Sequence, residues 1–410
     1  MAIIALLISN SSFADSYLHL LHTELSLVFG DWSIEKTLHH WVNDGLMALF
    51  FFVVGLELKR EFLVGELADP RAAALPVIAA IGGMIVPALI YFAINPEGDA
   101  VRGWGIPMAT DIAFALGAIA LLAGRVPRAL IMFLVALAIV DDLGAVVVIA
   151  LFYTDTIMVI PLLIAGALFC LLLAFNLFGI RRTLPYFLVS VLLWYALLQS
   201  GIHATLAGVL GAFTIPARPK YDPLRFGGCV RALMDRFDRS LHTGNNIMTN
   251  VEMRGIVQTL KNGIHQVEAP LQRLEHAWHM PVSYFVIPLF ALFNAGIPLD
   301  PGDFYSTLLH PVTLGVGTGL VLGKVIGIAG SSWIALQLGI GRLPSDTRFN
   351  QIIGVALLGG IGFTMSIFVA ELGFAGHPEL LLMAKSGILL ASVIAGTSGC
   401  LWLYLAGNGK

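Results

Sequence analysis

Apolar runs of near-bilayer length recur along this chain at roughly 43–63, 72–94, 104–123, 128–153, 157–177, 184–198, 201–215, 280–297, 311–336, 351–372 and 381–406. A helix rises about 1.5 Å per residue, so about 20 apolar residues cross a bilayer's hydrocarbon core, and fewer suffice where neighbours cover the ends. The pattern predicts eleven spans in an all-α integral membrane protein. Composition agrees: 58% of residues are hydrophobic, 12% are charged and the mean hydropathy is +0.86, whereas soluble domains carry about 25% charge.

The N-terminal stretch MAIIALLIS is apolar but too short to cross alone, and it lacks the basic region and small-residue cleavage site of a signal peptide. It reads as a truncated first span whose start has been assigned too far downstream, which brings the expected total to about twelve. Sorting the loops by Lys and Arg then gives an orientation. Loops after even-numbered spans hold Lys59, Arg60, Arg71, Arg125, Arg128, Arg181, Arg182, nine more within 216–279, Arg342 and Arg348. Loops after odd-numbered spans hold Lys36 and Arg102. The positive-inside rule puts the even loops and both termini in the cytoplasm.

Several function classes fall away on composition. A net charge of −3 and the lack of a basic run interleaved with aromatics argue against nucleic acid as a partner. Cys170, Cys229 and Cys400 lie far apart, with neither CxxC nor zinc-ligand spacing, so disulfides, iron–sulfur clusters and structural zinc are not expected. No cofactor motif is present.

Two stretches read as non-membrane. LSLVFGDWSIEK at 25–36 alternates around a Gly-Asp turn and predicts a small external β-hairpin, which is marginal alone and so is expected to pair, for instance with a second copy of the chain. In 216–279, Val230, Leu233, Met234 and Phe237 share one helical face, as do Met253, Ile256, Val257 and Leu260. These amphipathic helices are expected to lie on the bilayer or on neighbouring helices, with Pro270 ending the second.

Charges inside the spans carry the functional argument. Asp141 and Asp142 are adjacent in FLVALAIVDDLGAVVVIALFY. An aspartate at the centre of a lipid-exposed helix costs about 2.5–3.5 kcal/mol, while each Leu, Ile, Val or Phe returns about 0.3–0.6. The pair therefore faces a packed interior or a cavity. Successive residues point about 100° apart, so the two carboxylates address neighbouring sectors, one free to meet a partner while the other meets water. Ala138, Gly144 and Ala145 on the same side leave room for another backbone.

Further polar groups lie at comparable depth. Asp111 follows GWGIPMAT, where Gly103, Gly105 and Pro107 loosen the helix and Thr110 offers a hydroxyl. Lys324, flanked by Gly323 and Gly327, is expected to pair with a buried aspartate. LLGGIGFTMSIF at 357–368 is a second interrupted span, with Thr364 and Ser366 able to satisfy freed backbone. Two broken helices in corresponding places point to a midplane transport site built from inverted repeats, spans III–V against X–XII. Asp44, in WVNDGLM, reads equally as a helix cap; Glu57, Arg60 and Glu61 cluster at a cytoplasmic helix end; His203 reads as a packing histidine; Glu275, His276 and His279 read as a solvated helix face.

ATDIAFALG, VDDLGAVVVIALFYT, VGLELKRE, SGIHATLAG, LFNAGIPL, GKVIGI and GIGFTMSIF, taken together, closely resemble the NhaA family of bacterial sodium/proton antiporters, over essentially the whole chain from about residue 40. The resemblance implies twelve helices in two groups. An interface group, residues 1–71 and 154–297, would dimerise partly through the hairpin. A core, residues 72–153 and 298–410, would hold the two repeats and two crossed, interrupted helices. It further implies Asp141 and Asp142 as carboxylates for Na+ or Li+ and H+, with Asp111 and Thr110 beside the crossing. Lys324 would pair with Asp141 and balance helix dipoles. Glu57, Glu61, His203, Glu275 and His276 would serve pH response or the cytoplasmic funnel. The activity implied is pH-regulated, electrogenic exchange of one internal sodium or lithium ion for two external protons in the bacterial inner membrane. The segment 216–279 is longer than in compact members of that family.

Such exchange needs only competition between a hard cation and protons for the same oxygens, with no covalent step. Two other classes remain at this point. A cation channel would use the same aspartates as a filter, although Lys324 at similar depth opposes an open cation pore. An intramembrane aspartyl enzyme would need two carboxylates sharing a proton, which adjacent residues of one helix do not provide, although Asp111 with one of them would.

Overall fold

The computed structural model describes residues 1–29, 32–122, 124–154, 157–218, 223–241, 250–298, 302 and 304–407. Among the described residues, eight helices are long and apolar enough to cross a membrane. They are α3 (Leu38–Val64), α4 (Pro70–Ile94), α7 (Arg128–Phe152), α8 (Val159–Leu177), α9 (Thr183–Ser200), α13 (Pro270–Asn294), α15 (Pro311–Gln337) and α18 (Pro378–Ala406). Two bent pairs add two more: α5 (Asp99–Met108) with α6 (Ile112–Ala120), and α16 (Phe349–Leu358) with α17 (Phe363–Gly373). The two interrupted spans expected near 104–123 and 351–372 are these pairs. Short helices α1 (Ala2–Ser9) and α2 (Ala14–His22) precede a two-stranded antiparallel sheet, β1 (Glu24–Phe29) and β2 (Trp32–Thr37), in the register Glu24↔Thr37 to Phe29↔Trp32. The Gly-Asp turn expected between the strands lies outside the described residues.

Three boundaries differ from expectation. The run 201–215 holds only the nine-residue α10 (Leu206–Thr214), because Gly201, at φ 81°, closes α9 in the left-handed conformation and a turn follows. Nine residues reach about 13 Å, half a bilayer. Together α1, α10 and the ten full-length spans make up the expected twelve segments. The run 280–297 begins ten residues earlier, at Pro270, because Pro281 does not break the helix. A π-helical turn at Val282–Val286 follows it and absorbs the irregular hydrogen bonding. Asp44 is not a cap: Thr37 caps α3 by accepting from His40 N at 3.3 Å, and Asp44 lies inside another π-helical turn, Trp41–Leu46.

Within 216–279, α11 (Pro223–Leu241) and α12 (Val251–Val267) form a helical hairpin. Met253 and Ile256 are buried, Leu233, Phe237 and Leu260 half-buried, while Met234 and Val257 remain exposed. The amphipathic faces thus pack largely on each other. Helix α12 ends at Val267, ahead of Pro270, which occupies the first turn of α13, where its missing N–H costs nothing.

Close helix contacts are made at glycines. A Cβ added to Gly82 on α4 would overlap the carbonyl of Gly327 on α15, and a Cβ on Gly327 would overlap that of Gly82. Backbone therefore meets backbone along this pair, as small residues permit in membranes. Gly323 touches Pro87, and Gly208 meets the Ala48 carbonyl, bringing α10 onto α3. Beside the aspartate pair the close neighbour is a side chain rather than the expected backbone, since the Met84 thioether covers Gly144. Replacing Gly327 by Leu should overpack this contact and cost about 1–3 kcal/mol or more. Heating in detergent followed by size-exclusion recovery measures it; a melting temperature equal to wild type would refute backbone contact at this position.

Candidate functional site: a crossing of two interrupted helices

The α5/α6 pair bends by 40° and the α16/α17 pair by 50°, and the breaks pass beside each other. Each break has a local cause. Pro107 lacks the N–H that would continue the helix. Near Gly359, Gly360 and Gly362 the neighbouring chain is too close for side chains: a Cβ on Gly360 would meet the Leu320 carbonyl at 2.5 Å. The freed backbone groups pair across the crossing. Asp111 N donates to Ile361 O at 2.7 Å, Thr110 Oγ1 reaches Gly359 O at 2.8 Å, and Ser366 Oγ donates to Ile106 O at 2.8 Å. This accounting is what allows irregular backbone at mid-membrane depth.

Four helix ends converge here, and charged side chains face them with opposite sign. Asp111 caps both N-termini. Its Oδ1 accepts from Phe114 N at 3.1 Å at the start of α6, and its Oδ2 accepts from Thr364 N at 3.0 Å and from the Thr364 hydroxyl at the start of α17. Lys324 Nζ donates to the Met108 carbonyl at the C-terminal end of α5. A carboxylate at N-termini and an ammonium at a C-terminus both oppose the helix dipoles. Lys324 directly follows a π-helical turn at Gly319–Gly323, where Gly319 is packed on Pro107.

Asp141 and Asp142 come from the unbroken α7 and are each 1% exposed. Asp141 Oδ2 accepts from Lys324 Nζ and lies 2.6 Å from Thr110 Oγ1. Thr110 has one proton for two acceptors, Asp141 and Gly359, so its hydrogen bond can be redirected between them. Asp141 Oδ1 and Asp142 Oδ1 are buried with no hydrogen-bond partner among the described residues. A buried carboxylate oxygen without a donor is costly, and a proton or a hard cation satisfies it. No group of three or more His, Cys, Asp or Glu suited to a metal ion is found among the described residues. The oxygens on offer are those of two carboxylates, a hydroxyl and carbonyl ends.

The remaining candidates fall into separate places. Glu57, half-buried on α3, lies within electrostatic reach of Asp142 and of Glu275. Glu61 accepts from Arg60 at 2.8 Å and from Glu66 N at 3.1 Å, and Arg60 also reaches Glu275 at 2.5 Å, so one guanidinium joins α3 to α13. His276 and His279 are exposed, and His279 lies within electrostatic reach of Glu275, which is itself buried rather than on a solvated face. His203 stands apart, its Nε2 2.7 Å from the Tyr153 carbonyl at the end of α7. The Met108 and Gly359 carbonyls escape sequence reasoning because any residue supplies a carbonyl. A second polar group, formed by His39, Asn43, Asn294, Glu371 and Lys385, was also missed. Its members are scattered over four spans, and only the charges of Glu371 and Lys385 in apolar runs signalled it.

Residues 1–403 match the family model described as Na+/H+ antiporter 1. The chain is 58% identical over 410 residues to the Na(+)/H(+) antiporter NhaA 1 of Saccharophagus degradans, covering 100% of this chain and 88% of that protein. It is 54% identical over 403 residues to the Na(+)/H(+) antiporter NhaA of Sulfurimonas denitrificans, with 98% and 90% covered. It is 51% identical over 409 residues to that of Syntrophobacter fumaroxidans, with 99% and 86% covered.

Lys324→Met should leave Asp141 and the Met108 carbonyl without the ammonium they share and cost about 3–5 kcal/mol, the penalty of breaking a buried pair. Adding Asp141→Leu should restore most of the loss. Thermal unfolding in detergent checks both; a single variant as stable as wild type would show that the ammonium is not needed to hold the crossing.

Proposed function

The chain belongs to the NhaA family of Na+/H+ antiporters and is a multi-pass membrane transporter, not an enzyme, that exchanges sodium for protons; on that premise we propose how its own residues carry the exchange. Sodium binds at Asp141 and Asp142, and protons compete for the same oxygens. The carrying observation is the pair of buried carboxylate oxygens left without donors beside the crossing. Sodium entry displaces protons from these groups, and protonation releases sodium. Lithium, equally a hard monovalent cation, is taken by the same oxygens. Asp141 exchanges its Lys324 contact, and Thr110 its acceptor, as the ion arrives, while Asp111 keeps both capping roles and holds the crossing together.

Spans drawn from 72–153 and 298–410 act as a moving core against an interface group drawn from 1–71 and 154–297. The fit of α4 against α15 within the core supports this division. By the distribution of Lys and Arg, the face bearing Arg60 and Arg71 is cytoplasmic and the face bearing the hairpin is external, with both termini cytoplasmic and the spans in the bacterial inner membrane. Glu57, Glu61, Arg60 and Glu275 line the cytoplasmic approach, Glu57 standing between that cluster and Asp142 and so coupling ion entry to pH. The two-stranded sheet, marginal alone, joins a second copy in a homodimer. A channel is disfavoured because Lys324, fully buried at the depth of the aspartates, repels cations in an open pore.

In everted vesicles energised by respiration, sodium or lithium should dequench a ΔpH dye with wild-type protein. Asp142→Asn, inserted at normal levels, should abolish the signal. Dequenching that survives this substitution would remove Asp142 from the site. With two protons moved per sodium, each cycle carries one net charge, worth about 2.3 kcal/mol per 100 mV, so the potential helps expel sodium. On a solid-supported membrane a sodium jump should give a transient current that Asp142→Asn lacks; electroneutral exchange at full turnover would overturn this stoichiometry.

A further inference from the structure

The contact between α17 and its neighbours α3 and α13 has two layers. Nearer the crossing, the Phe368 ring of α17 lies 5.5 Å from Phe51 of α3 and 6.2 Å from Phe290 of α13, and all three side chains are buried. One turn further out, at Glu371, the contact becomes polar. Glu371 Oε1 accepts from Lys385 Nζ of α18 at 2.6 Å and stands 3.7 Å from His39 Nε2 of α3. His39 Nε2 is also 3.0 Å from Asn294 Oδ1 of α13, and Asn294 Nδ2 donates to Asn43 Oδ1 at 2.8 Å and to Phe290 O at 3.0 Å. A dry aromatic contact is thus closed at its outer end by a polar network reaching four spans.

We propose that His39 and Glu371 form a latch on the external side of the seam between interface group and core, tightened when His39 is protonated and released when it is neutral. The proposal rests on the core-against-interface reading given above. Asn43 Nδ2, a donor, lies 3.4 Å from His39 Nε2, but the shorter contact to Asn294 Oδ1 and the facing carboxylate favour the tautomer with its hydrogen on Nε2. Neutral His39 spends that hydrogen on Asn294, and its link to Glu371 is weak. Protonated His39 adds a positive charge facing the carboxylate across the seam, in a place where little water screens it.

The latch opens without leaving a buried charge alone. When the core moves away, Glu371 keeps Lys385 within the core, and His39 keeps Asn294 within the interface group. This separates the contact from an ion pair whose rupture would strand a charge. Lys385 also moderates it, since two cations share one carboxylate, which keeps the added attraction small enough to break in each cycle. The other charged groups around His39 are His40, whose ring lies edge-on at 6.2 Å, Asp44 further along α3, and Lys36 on the adjoining strand. They lie on its own side of the seam, so they bias its charge without moving relative to it during rocking. Among the described residues, Glu371 faces it from the core, backed by Lys385.

The expected consequence is that acid on the face bearing His39 slows the core's movement. The test uses the full chain in liposomes, with radiolabelled sodium/sodium exchange at equal pH on both sides, which requires rocking but no net proton flux. His39→Gln keeps a donor for Asn294 but cannot take a charge. Its exchange rate relative to wild type should be near 1 at pH 8.5 and rise roughly fivefold at pH 6, the size of a partly exposed ion pair. His39→Lys, charged at both pH values, should be slow at both. A ratio that stays flat from pH 6 to 8.5 overturns the latch. Wild-type vesicles that exchange no sodium at any pH would instead overturn the transport reading itself. A second measurement does not depend on titration. With Cys170, Cys229 and Cys400 replaced by Ser, His39→Cys together with Glu371→Cys is joined by a short bifunctional thiol reagent applied from the external side. Linking should stop exchange, and cleaving the linker should restore it; undiminished exchange in the linked protein would show that this seam does not open.

Discussion

Four helix ends meet in the middle of this molecule, and the rest of the structure follows from how their charges are opposed. A broken helix inside a membrane exposes unpaired N–H groups at one end and unpaired carbonyls at the other, far from water. Here Asp111 caps two N-termini at once while Lys324 takes the carbonyl end of α5. Asp111 is spoken for on both oxygens. Lys324 divides its donors between backbone and Asp141. That unequal commitment separates a rigid element from a responsive one: the crossing is held by Asp111, Thr364 and Ser366, while the lysine, Asp141 and Thr110 retain alternatives.

Asp142 stands outside that arrangement. It is as deeply buried as Asp141, yet its Oδ1 has no donor among the described residues. Adjacent positions on one helix face different sectors, so Asp141 Oδ2 is drawn into the crossing while the Oδ1 of each aspartate lacks a donor among the described residues. On the function proposed above, competition for a shared set of oxygens would suffice for exchange, and rocking of the core would supply alternating access. The latch proposed at the outer end of α17 follows the same logic, since Glu371 and His39 each have a partner on their own side of the proposed seam.

Much of this was legible in the amino-acid order. Glycine and proline clustering at 103–107 and 359–362 marked the two interruptions, because those residue types act on the backbone locally. The charge of Asp141, Asp142, Asp111 and Lys324 in apolar runs marked the site, because charge in hydrocarbon is expensive wherever it occurs. Less legible were features that depend on what a residue meets. The start of α13 was hidden because its first ten residues, with Arg273, Glu275, His276 and His279, are too polar to extend an apolar run. Asp44 looked like a cap because its helix start, set by Thr37, was placed too late. The run 201–215 looked long enough to span because the left-handed Gly201 leaves no mark in hydropathy.

Sequence alone determined the membrane-spanning helical class, the two interruptions and the identity of the buried charges, since hydropathy, backbone conformation and desolvation act residue by residue. Tertiary structure decided which carboxylate is committed and which is left open, that Asp111 serves two helices, and that His39 and Glu371 meet although 332 positions apart. The physical reason is range: hydrogen bonds and ion pairs act over a few ångströms in space, and only the packing of distant spans brings their partners within reach.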